Sequence, residues 1–409
     1  MTKLQKIDPQ INQLIQQEEQ RQKNGLNLIP SENFISPGVS QALASVCTNK
    51  YAEGYPGQRY YSGNQYIDKI EKLAQKRAQK LFQAESVNVQ SYSGSPANLA
   101  VYLALAQTGD TLLGMSLSHG GHLTHGHSVN ISGKLFNFIQ YQVDPQTHRI
   151  NYQEIEKIAL KHRPRIIVSG ATAYPRIINF QKISQIAQKV KAISMADISH
   201  IAGLVVTKNH PSPLPFTDVV TTTTHKTLRG PRGALIMCKK QYSEQINRMV
   251  FPGMQGGPHE NNIAAIAVAL KEASSPFFQK YGNQIIKNAQ ALAQSLQAQG
   301  IKLITNGTDN HLILIDLRPH SIKGKEAEKL LEKAKIYVNK NTIPYDSQNP
   351  LNPSGLRIGT PALTTQGFRE EEMKKIGEII ALLLKHPRKK ETLEKVQKQV
   401  KKIIINHAS

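Results

Sequence analysis

A lysine that follows four consecutive threonines stands in an unusual place for a permanent positive charge. Thr221-Thr222-Thr223-Thr224 reads as the end of a β-branched strand that delivers His225 and Lys226 to its mouth, and Thr227-Leu228-Arg229-Gly230-Pro231-Arg232-Gly233 follows. An ammonium there loses hydration, so its pKa falls towards that of an amine able to form a Schiff base with a carbonyl. A snorkelling surface lysine is the competing reading. The glycines that follow permit close backbone approach and favour chemistry. One strand earlier, Ala196-Asp197-Ile198-Ser199-His200 offers a carboxylate. Held near the pyridine nitrogen of pyridoxal phosphate, it would keep that nitrogen protonated and let the ring act as an electron sink. A helix cap, or an Asp that orients His200, would account for Asp197 equally well on its own.

A phosphate needs its own cradle. Val87–Gln90 is followed by Ser91-Tyr92-Ser93-Gly94-Ser95-Pro96-Ala97-Asn98. Ser95 is expected to cap a helix whose first residue is Pro96, with Gly94 giving the backbone room, so that amides and hydroxyls face an anion. A capped helix start with no ligand is the alternative. A second glycine cluster, Phe251–Pro258, can add amides. His119, His122, His125 and His127 crowd one loop, but their spacing fits no helical pair and neither cysteine nor carboxylate lies between Ser116 and Ser132. No metal is therefore expected; an imidazole stacked on a cofactor ring fits better, with structural hydrogen bonds for the other histidines. In Asn49–Tyr61, several tyrosines surround the single carboxylate of Glu53. That suits a polar ligand pocket in which desolvation protonates Glu53, a tyrosine-rich dimer surface, or both.

These residues call for a parallel α/β sheet, where ligands gather beyond the carboxyl ends of the strands. From about residue 85 the pattern repeats strand, loop and helix, which implies a mostly parallel sheet with helices on both faces. Strand ends at Ser169, Asp197 and Lys226 recur 28 and 29 residues apart, about one strand-helix unit each, and should converge on one rim. Ile183, Ile186, Ala187 and Val190 mark the helix between the first two. Beyond about residue 275 the pattern changes: alternation in His311–Ile315, a helix near Lys325–Lys335, a strand around Leu356-Arg357-Ile358, and a final helix after Gly367. At the amino end, Ile7, Ile11, Leu14 and Ile15 share one helical stripe closed by Asn24-Gly25, which looks like a docking arm. The expected division is an N-terminal helical arm over 1–25, a large domain over 26–275 and a smaller C-terminal α/β domain over 276–409, parted at Ser274-Ser275-Pro276.

The bulk properties permit an enzyme of this kind. The 409 residues suffice for two or three domains. Lys and Arg total 51 against 29 Asp and Glu, a net charge of +22, which could mark a nucleic-acid binder. The cations are spread along the chain, and the one concentration, in the tail from Lys385 to Lys402, carries Leu393, Val396, Val400 and Ile404 at helical spacing. A solvated amphipathic helix is expected there, with the charge steering anionic ligands and no nucleic-acid partner. Cys47 and Cys238 form no spaced pair. No window is apolar enough for a membrane helix and the start lacks a secretory core, so a cytoplasmic protein is expected.

The chain resembles serine hydroxymethyltransferases from end to end, through Leu28–Phe34 (LIPSENF), Asn49–Tyr61 (NKYAEGYPGQRYY), Ser93–Asn98 (SGSPAN), His119–Gly126 (HGGHLTHG), Asp197–Leu204 (DISHIAGL), Thr221–Gly233 (TTTTHKTLRGPRG) and Phe251–Pro258 (FPGMQGGP). The resemblance implies the aspartate-aminotransferase-like fold of pyridoxal-phosphate enzymes (fold type I), a homodimer with shared active sites, and reversible transfer of a one-carbon unit from serine to tetrahydrofolate. By motif match, Lys226 holds the cofactor, Asp197 pairs with its ring nitrogen, His122 stacks on the ring, and His200 and Thr172 lie near its phenolic oxygen. Ser93, Gly94, Ser95 and His225 would hold the phosphate, with Tyr51, Gly256 and Gly257 reaching in from the partner. Arg357, assisted by Ser31, would grip the substrate carboxylate, since a fork of donors fits two oxygens. Glu53 would handle protons beside Tyr60 and Tyr61, and Thr223 joins the catalytic set. Folate contacts would fall to Leu117, Gly121, Leu123 and Asn341, plus Phe251 from the neighbour. Ser199 stands where the family usually has alanine, Ala234 where glycine is common, and the charge is atypically positive. A folate-independent aldolase acting on threonine-like amino acids would share the lysine and aspartate. An RNA-binding protein is the alternative from another class.

Overall fold

The computed structural model describes residues 2–408. Its main sheet has seven strands: β1 (Ser86–Asn88), β2 (Thr111–Met115), β3 (Asn137–Tyr141), β4 (Ile166–Gly170), β5 (Ile193–Asp197), β6 (Val219–Thr223) and β7 (Ala234–Cys238). Their order is β1-β7-β6-β5-β4-β2-β3. Strands β2 to β6 run parallel, and β7 is antiparallel to both of its neighbours. The helices that bear on the site are α1 (Lys3–Ile7), α2 (Pro9–Lys23), α3 (Gln65–Phe82), α4 (Gly94–Leu105), α5 (Phe180–Lys189), α6 (Glu260–Ala273), α7 (Pro276–Ala298), α8 (Glu370–Lys385) and α9 (Lys390–Ala408).

Strands β4 to β7 are buried at every position, because helices cover both faces of the sheet. Alternate side chains feed two apolar clusters. Ile166, Val168, Met195, Val219 and Ile236 meet α4 on one face, while Ile167, Ala196, Val220 and Leu235 join residues of α3, α5 and α6 on the other. The threonines that close β6 are buried too, and each hydroxyl has an acceptor. Thr221 donates to Asn98 Oδ1 at 2.6 Å, Thr222 to the Thr223 carbonyl at 2.9 Å, Thr223 to the Ser199 carbonyl at 3.3 Å, and Thr224 to the Pro231 carbonyl at 2.6 Å. Threonine there combines a strand-forming shape with a satisfied polar group.

Beyond the main sheet, β8 (Leu312–Asp316), β9 (Asn339–Asn341) and β10 (Gly355–Gly359) form an antiparallel sheet in the order β8-β10-β9. The alternation expected around residue 313 does not produce an exposed face: all of β8 is buried, because Ile313 and Ile315 enter the large C-terminal cluster while Leu314 packs with Ile304 and Ile343 behind it. Helix α7 crosses between cores, giving Phe278, Tyr281 and Ile285 to one and Leu292 and Leu296 to the other. Leu26 and Leu28 also enter the C-terminal cluster, where Leu26–Asn27 pairs in parallel with Ile336–Tyr337. The tail forms α9, with Val396 and Val400 buried and Leu393 and Ile404 packed beside them.

The amino-terminal stripe is two helices rather than one. The Asp8 side chain accepts from the Ile11 amide and Pro9 follows it, so α1 ends and α2 begins at that residue. Ile7, Ile11, Leu14 and Ile15 are all exposed on this chain. No helix of the described residues is long and apolar enough to cross a membrane.

Strand β4 ends at Gly170, one residue later than expected, with φ +116°; a Cβ there would stand 2.1 Å from the Asp197 carbonyl oxygen. Gly170→Ala is therefore expected to destabilise the fold by about 3 kcal/mol or more, through a left-handed backbone and a backbone collision together, read as a lower urea midpoint. An unchanged midpoint would disprove this.

Candidate active site

A cavity of about 370 Å³ opens beyond the carboxyl ends of β4, β5 and β6. It gathers Ser31, Ser93, Gly94, Ser95, His122, Thr172, Asp197, His200, Thr223, His225, Lys226 and Arg357 from segments far apart in sequence, together with Arg232, which was not singled out as a site residue. Lys226 is 9% exposed. Burial lowers its amine to about 8; Arg357 and Arg232 push the same way, and Asp197 opposes them. Its carbonyl accepts from Asn33 Nδ2 at 2.9 Å and from the Arg229 amide at 3.1 Å, so the backbone beneath the amine is pinned.

Asp197 is buried at the end of β5. Oδ2 accepts from Asn98 Nδ2 at 2.8 Å and lies 3.4 Å from His125 Nε2, while Oδ1 accepts from the Ser199 amide at 3.0 Å. Burial works against the charge, but the His125 and Ser199 contacts outweigh it and hold the carboxyl well below the usual carboxylate range. Asn98 also donates to Thr124 Oγ1 at 2.9 Å, so one amide links the loop histidines, Asp197 and the threonine strand. Asn98 and His125 were not expected to have this role. The signal for Asn98 was a polar residue between Ala97 and Leu99 on a helix whose neighbours are apolar.

His122 is pushed down to about 4, by burial first and then by His125. Its Nδ1 accepts from the Thr124 amide at 3.2 Å and lies 2.8 Å from Thr124 Oγ1, which leaves the ring proton on Nε2. His200 is lowered by burial, and His311, pushed down to about 3 by burial, stands 3.2 Å away, Nδ1 to Nε2. His311 precedes β8, and nothing in its sequence context marked it.

The helix behind the Gly94 loop begins earlier than expected. Ser93, in place of Ser95, is the N-cap, and Pro96 is the third helical residue. The first turn has no intrahelical use for its amides, so Pro96 loses nothing there, and Gly94 and Ser95 become the free first residues. The Ser93 side chain makes no capping bond. A Cβ on Gly94 would lie 2.7 Å from Thr223 Cγ2.

Arg357 comes from β10 and is 7% exposed. Nη1 donates to the Thr172 carbonyl at 2.8 Å and Nε to Asn339 Oδ1 at 3.1 Å. Burial lowers the guanidinium to about 10, and among the described residues no carboxylate pairs with it. A buried cation held only by neutral groups is costly unless a ligand brings the counter-charge.

The remaining expected residues do not line this cavity. Tyr51 and Tyr61 have ring centroids 4.9 Å apart, and Tyr60 lies 5.9 Å from Phe251. A Cβ on Gly256 would stand 3.2 Å from Glu53 Oε1, and one on Gly257 3.4 Å from the Tyr51 ring. These seven form a second group whose tyrosines are 47–76% exposed. Leu117, Gly121 and Leu123 lie along the His122 loop, and Asn341 ends β9 with its amide on the Thr342 carbonyl.

Pyridoxal phosphate fits what is present. Lys226 is a buried amine near neutrality, and Asp197 is an anion able to face a protonated ring nitrogen. The Ser93–Ser95 helix start offers free amides beside a glycine, and His225 Nδ1 is buried with no partner. The family model for serine hydroxymethyltransferase matches residues 4–380. Enzymes of that family are fold type I proteins that use pyridoxal phosphate and take tetrahydrofolate as co-substrate. The chain belongs to the serine hydroxymethyltransferase family, and its activity is transfer of the serine hydroxymethyl group to tetrahydrofolate with release of glycine.

Proposed function

We propose the following division of labour among residues. The neutral amine of Lys226 would hold the cofactor through its aldehyde, and Asp197 would keep the ring nitrogen protonated. When bound, pyridoxal phosphate supplies a conjugated ring into which the electron pair left by the departing hydroxymethyl group spreads. His122 as a neutral imidazole would stack on that ring, His200 and Thr172 would hold its phenolic oxygen, and Thr223 packs against the Gly94 turn. Ser93, Gly94, Ser95 and His225 take the phosphate. The observation that carries this reading is that Lys226, Asp197 and Arg357, which has no carboxylate partner among the described residues, line one cavity.

Arg357 receives the serine carboxylate with help from Ser31, fixing which bond to the α-carbon breaks. Glu53, with Tyr60 and Tyr61, carries protons at the hydroxymethyl and folate centres, while Leu117, Gly121, Leu123 and Asn341 contact the folate. The second group of residues, away from Lys226 on this chain, supports a homodimer in which Tyr51, Gly256, Gly257 and Phe251 complete the partner's site. The exposed stripe Ile7, Ile11, Leu14 and Ile15 suits the same association. The division into an arm (1–25), a large domain (26–275) and a small domain (276–409) draws support from the two large apolar clusters, although Leu26 and Leu28 pack in the second and Phe278, Tyr281 and Ile285 in the first. A cytoplasmic setting accords with folate-dependent chemistry, and the excess of cations steers anionic ligands without a nucleic-acid partner.

Three measurements test these assignments. Borohydride reduction of the protein loaded with pyridoxal phosphate should fix the label on the peptide containing Lys226, with none in Lys226→Ala; a label on another lysine refutes the role. The rate at which cofactor-free protein captures pyridoxal phosphate should rise with pH and level off above about 8, because the amine loses its proton there. A rise continuing to about pH 10 would mean an ordinary lysine. Arg357→Ala should raise the KM for serine roughly 100-fold, about 3 kcal/mol, with the KM for tetrahydrofolate little changed. Equal effects on both substrates would remove Arg357 from the carboxylate site.

A further inference from the structure

The loop that carries Glu53 is held by a buried ionic cluster outside the cofactor cavity. Arg59 Nη1 donates to the carbonyls of Ala52 at 2.7 Å and Gly54 at 2.8 Å, the two residues that bracket Glu53. Its Nε donates to Asp68 at 2.9 Å and its Nη2 to Glu71 at 2.7 Å, both on α3. Gln90 Nε2 reinforces the arrangement, donating to the Gly54 carbonyl at 3.0 Å and to Glu71 at 3.0 Å. One guanidinium therefore fixes the backbone on either side of Glu53, and Glu71 holds that guanidinium.

A second buried carboxyl intrudes on this pair. Glu260, the first residue of α6, is 1% exposed, and neither of its carboxyl oxygens has a hydrogen-bond partner. Its Oε1 is 3.8 Å from the same Arg59 Nη2 that Glu71 engages. Two buried carboxylates competing for one nitrogen cannot both be ionised cheaply. The charged groups facing Glu260 are Glu71 and Asp68 from α3, and Arg59 and Lys50 from the loop. Burial first, and then the charge of Glu71, push Glu260 up to about 8.

We propose that Glu260 is a positioning residue that works as a neutral acid: while protonated it leaves Arg59 committed to Glu71 and to the Ala52 and Gly54 carbonyls, and once ionised it competes for Arg59 and loosens the Glu53 loop. This rests on the reading of Glu53 as the proton-handling group. It adds that the posture of Glu53 is set by a carboxyl that never touches substrate. Stability follows with a definite sign. The native state keeps a proton that the unfolded chain releases near pH 4.5, so the Glu260 contribution falls as pH rises from there to about 8, and is level above.

The test compares the holoenzyme with Glu260→Gln, a neutral isostere, and with Glu71→Gln. Near pH 7 the ratio of kcat/KM for folate-dependent serine cleavage, Glu260→Gln over native, should be close to one; it should climb to about threefold or more by roughly pH 9. The difference in Tm between Glu260→Gln and the native chain should grow in favour of the variant between about pH 5 and about pH 8 and then stop growing. Infrared spectroscopy should show a protonated carboxylic acid in the native chain at neutral pH that is absent in Glu260→Gln. Glu71→Gln should move the titration of that acid to lower pH, because it removes the neighbouring charge. A flat activity ratio, a pH-independent Tm difference or a missing acid band overturns the proposal. If Glu53→Gln retains folate-dependent activity, the Glu53 reading fails by itself, while the infrared and Tm measurements still report on Glu260.

Discussion

Desolvation at the carboxyl ends of β4 to β6 places two opposite demands on neighbouring groups. Within a single cavity Lys226 is pushed towards its neutral form while Asp197 is held as an anion. Burial by itself would neutralise both. The difference lies in what each side chain is offered: Asp197 opposes the loss of charge at Lys226, but burial, aided by Arg357 and Arg232, prevails there, whereas Asp197 accepts from Asn98 and the Ser199 amide and lies beside His125. The Asn98 side chain is held by three hydrogen bonds, donating to Thr124 and Asp197 and accepting from Thr221, which fixes its orientation. A stiff donor is worth more than a mobile one, because no ordering entropy is left to lose when charge develops nearby.

The small sheet completes this environment. Arg357 reaches across from β10 to the Thr172 carbonyl, and His311 reaches from the start of β8 to His200. Both contacts tie the C-terminal core to the rim of the main sheet, so the position of Arg357 in the cavity depends on how two separately packed cores meet. Helix α7 is buried in one core at its start and in the other at its end, and so spans the two.

The loop around Glu53 obeys a different physics. It lies largely at the surface of this chain, its aromatic rings contact one another, and its backbone is held by a buried guanidinium beneath it. Its rigidity comes from one ionic cluster with more carboxyls than cations, and such a cluster responds to proton concentration in a way that the apolar cores do not.

Much of the rim was legible in one dimension. Strands in a parallel sheet recur at the length of a strand-helix unit, so spacing alone put Asp197 and Lys226 on one edge, and the run of threonines marked the β-branched strand that delivers His225 and Lys226. Local stereochemistry was read less well where a choice among nearby serines decided it: the cap fell on Ser93 and not Ser95, because helical geometry already begins at Gly94. The placing of Tyr51, Gly256, Gly257 and Phe251 apart from the Lys226 cavity of their own chain was expected only through the family resemblance, and the His200–His311 contact and the Arg59–Glu71–Glu260 cluster were not legible at all. Residue types and spacing determined which chemistry this chain carries, since a motif is a local pattern of side chains on one element. Only the tertiary structure decided which charges share a dielectric environment, because burial and proximity between segments some 200 residues apart, such as Arg59 and Glu260, arise from packing and leave no periodic trace along the chain.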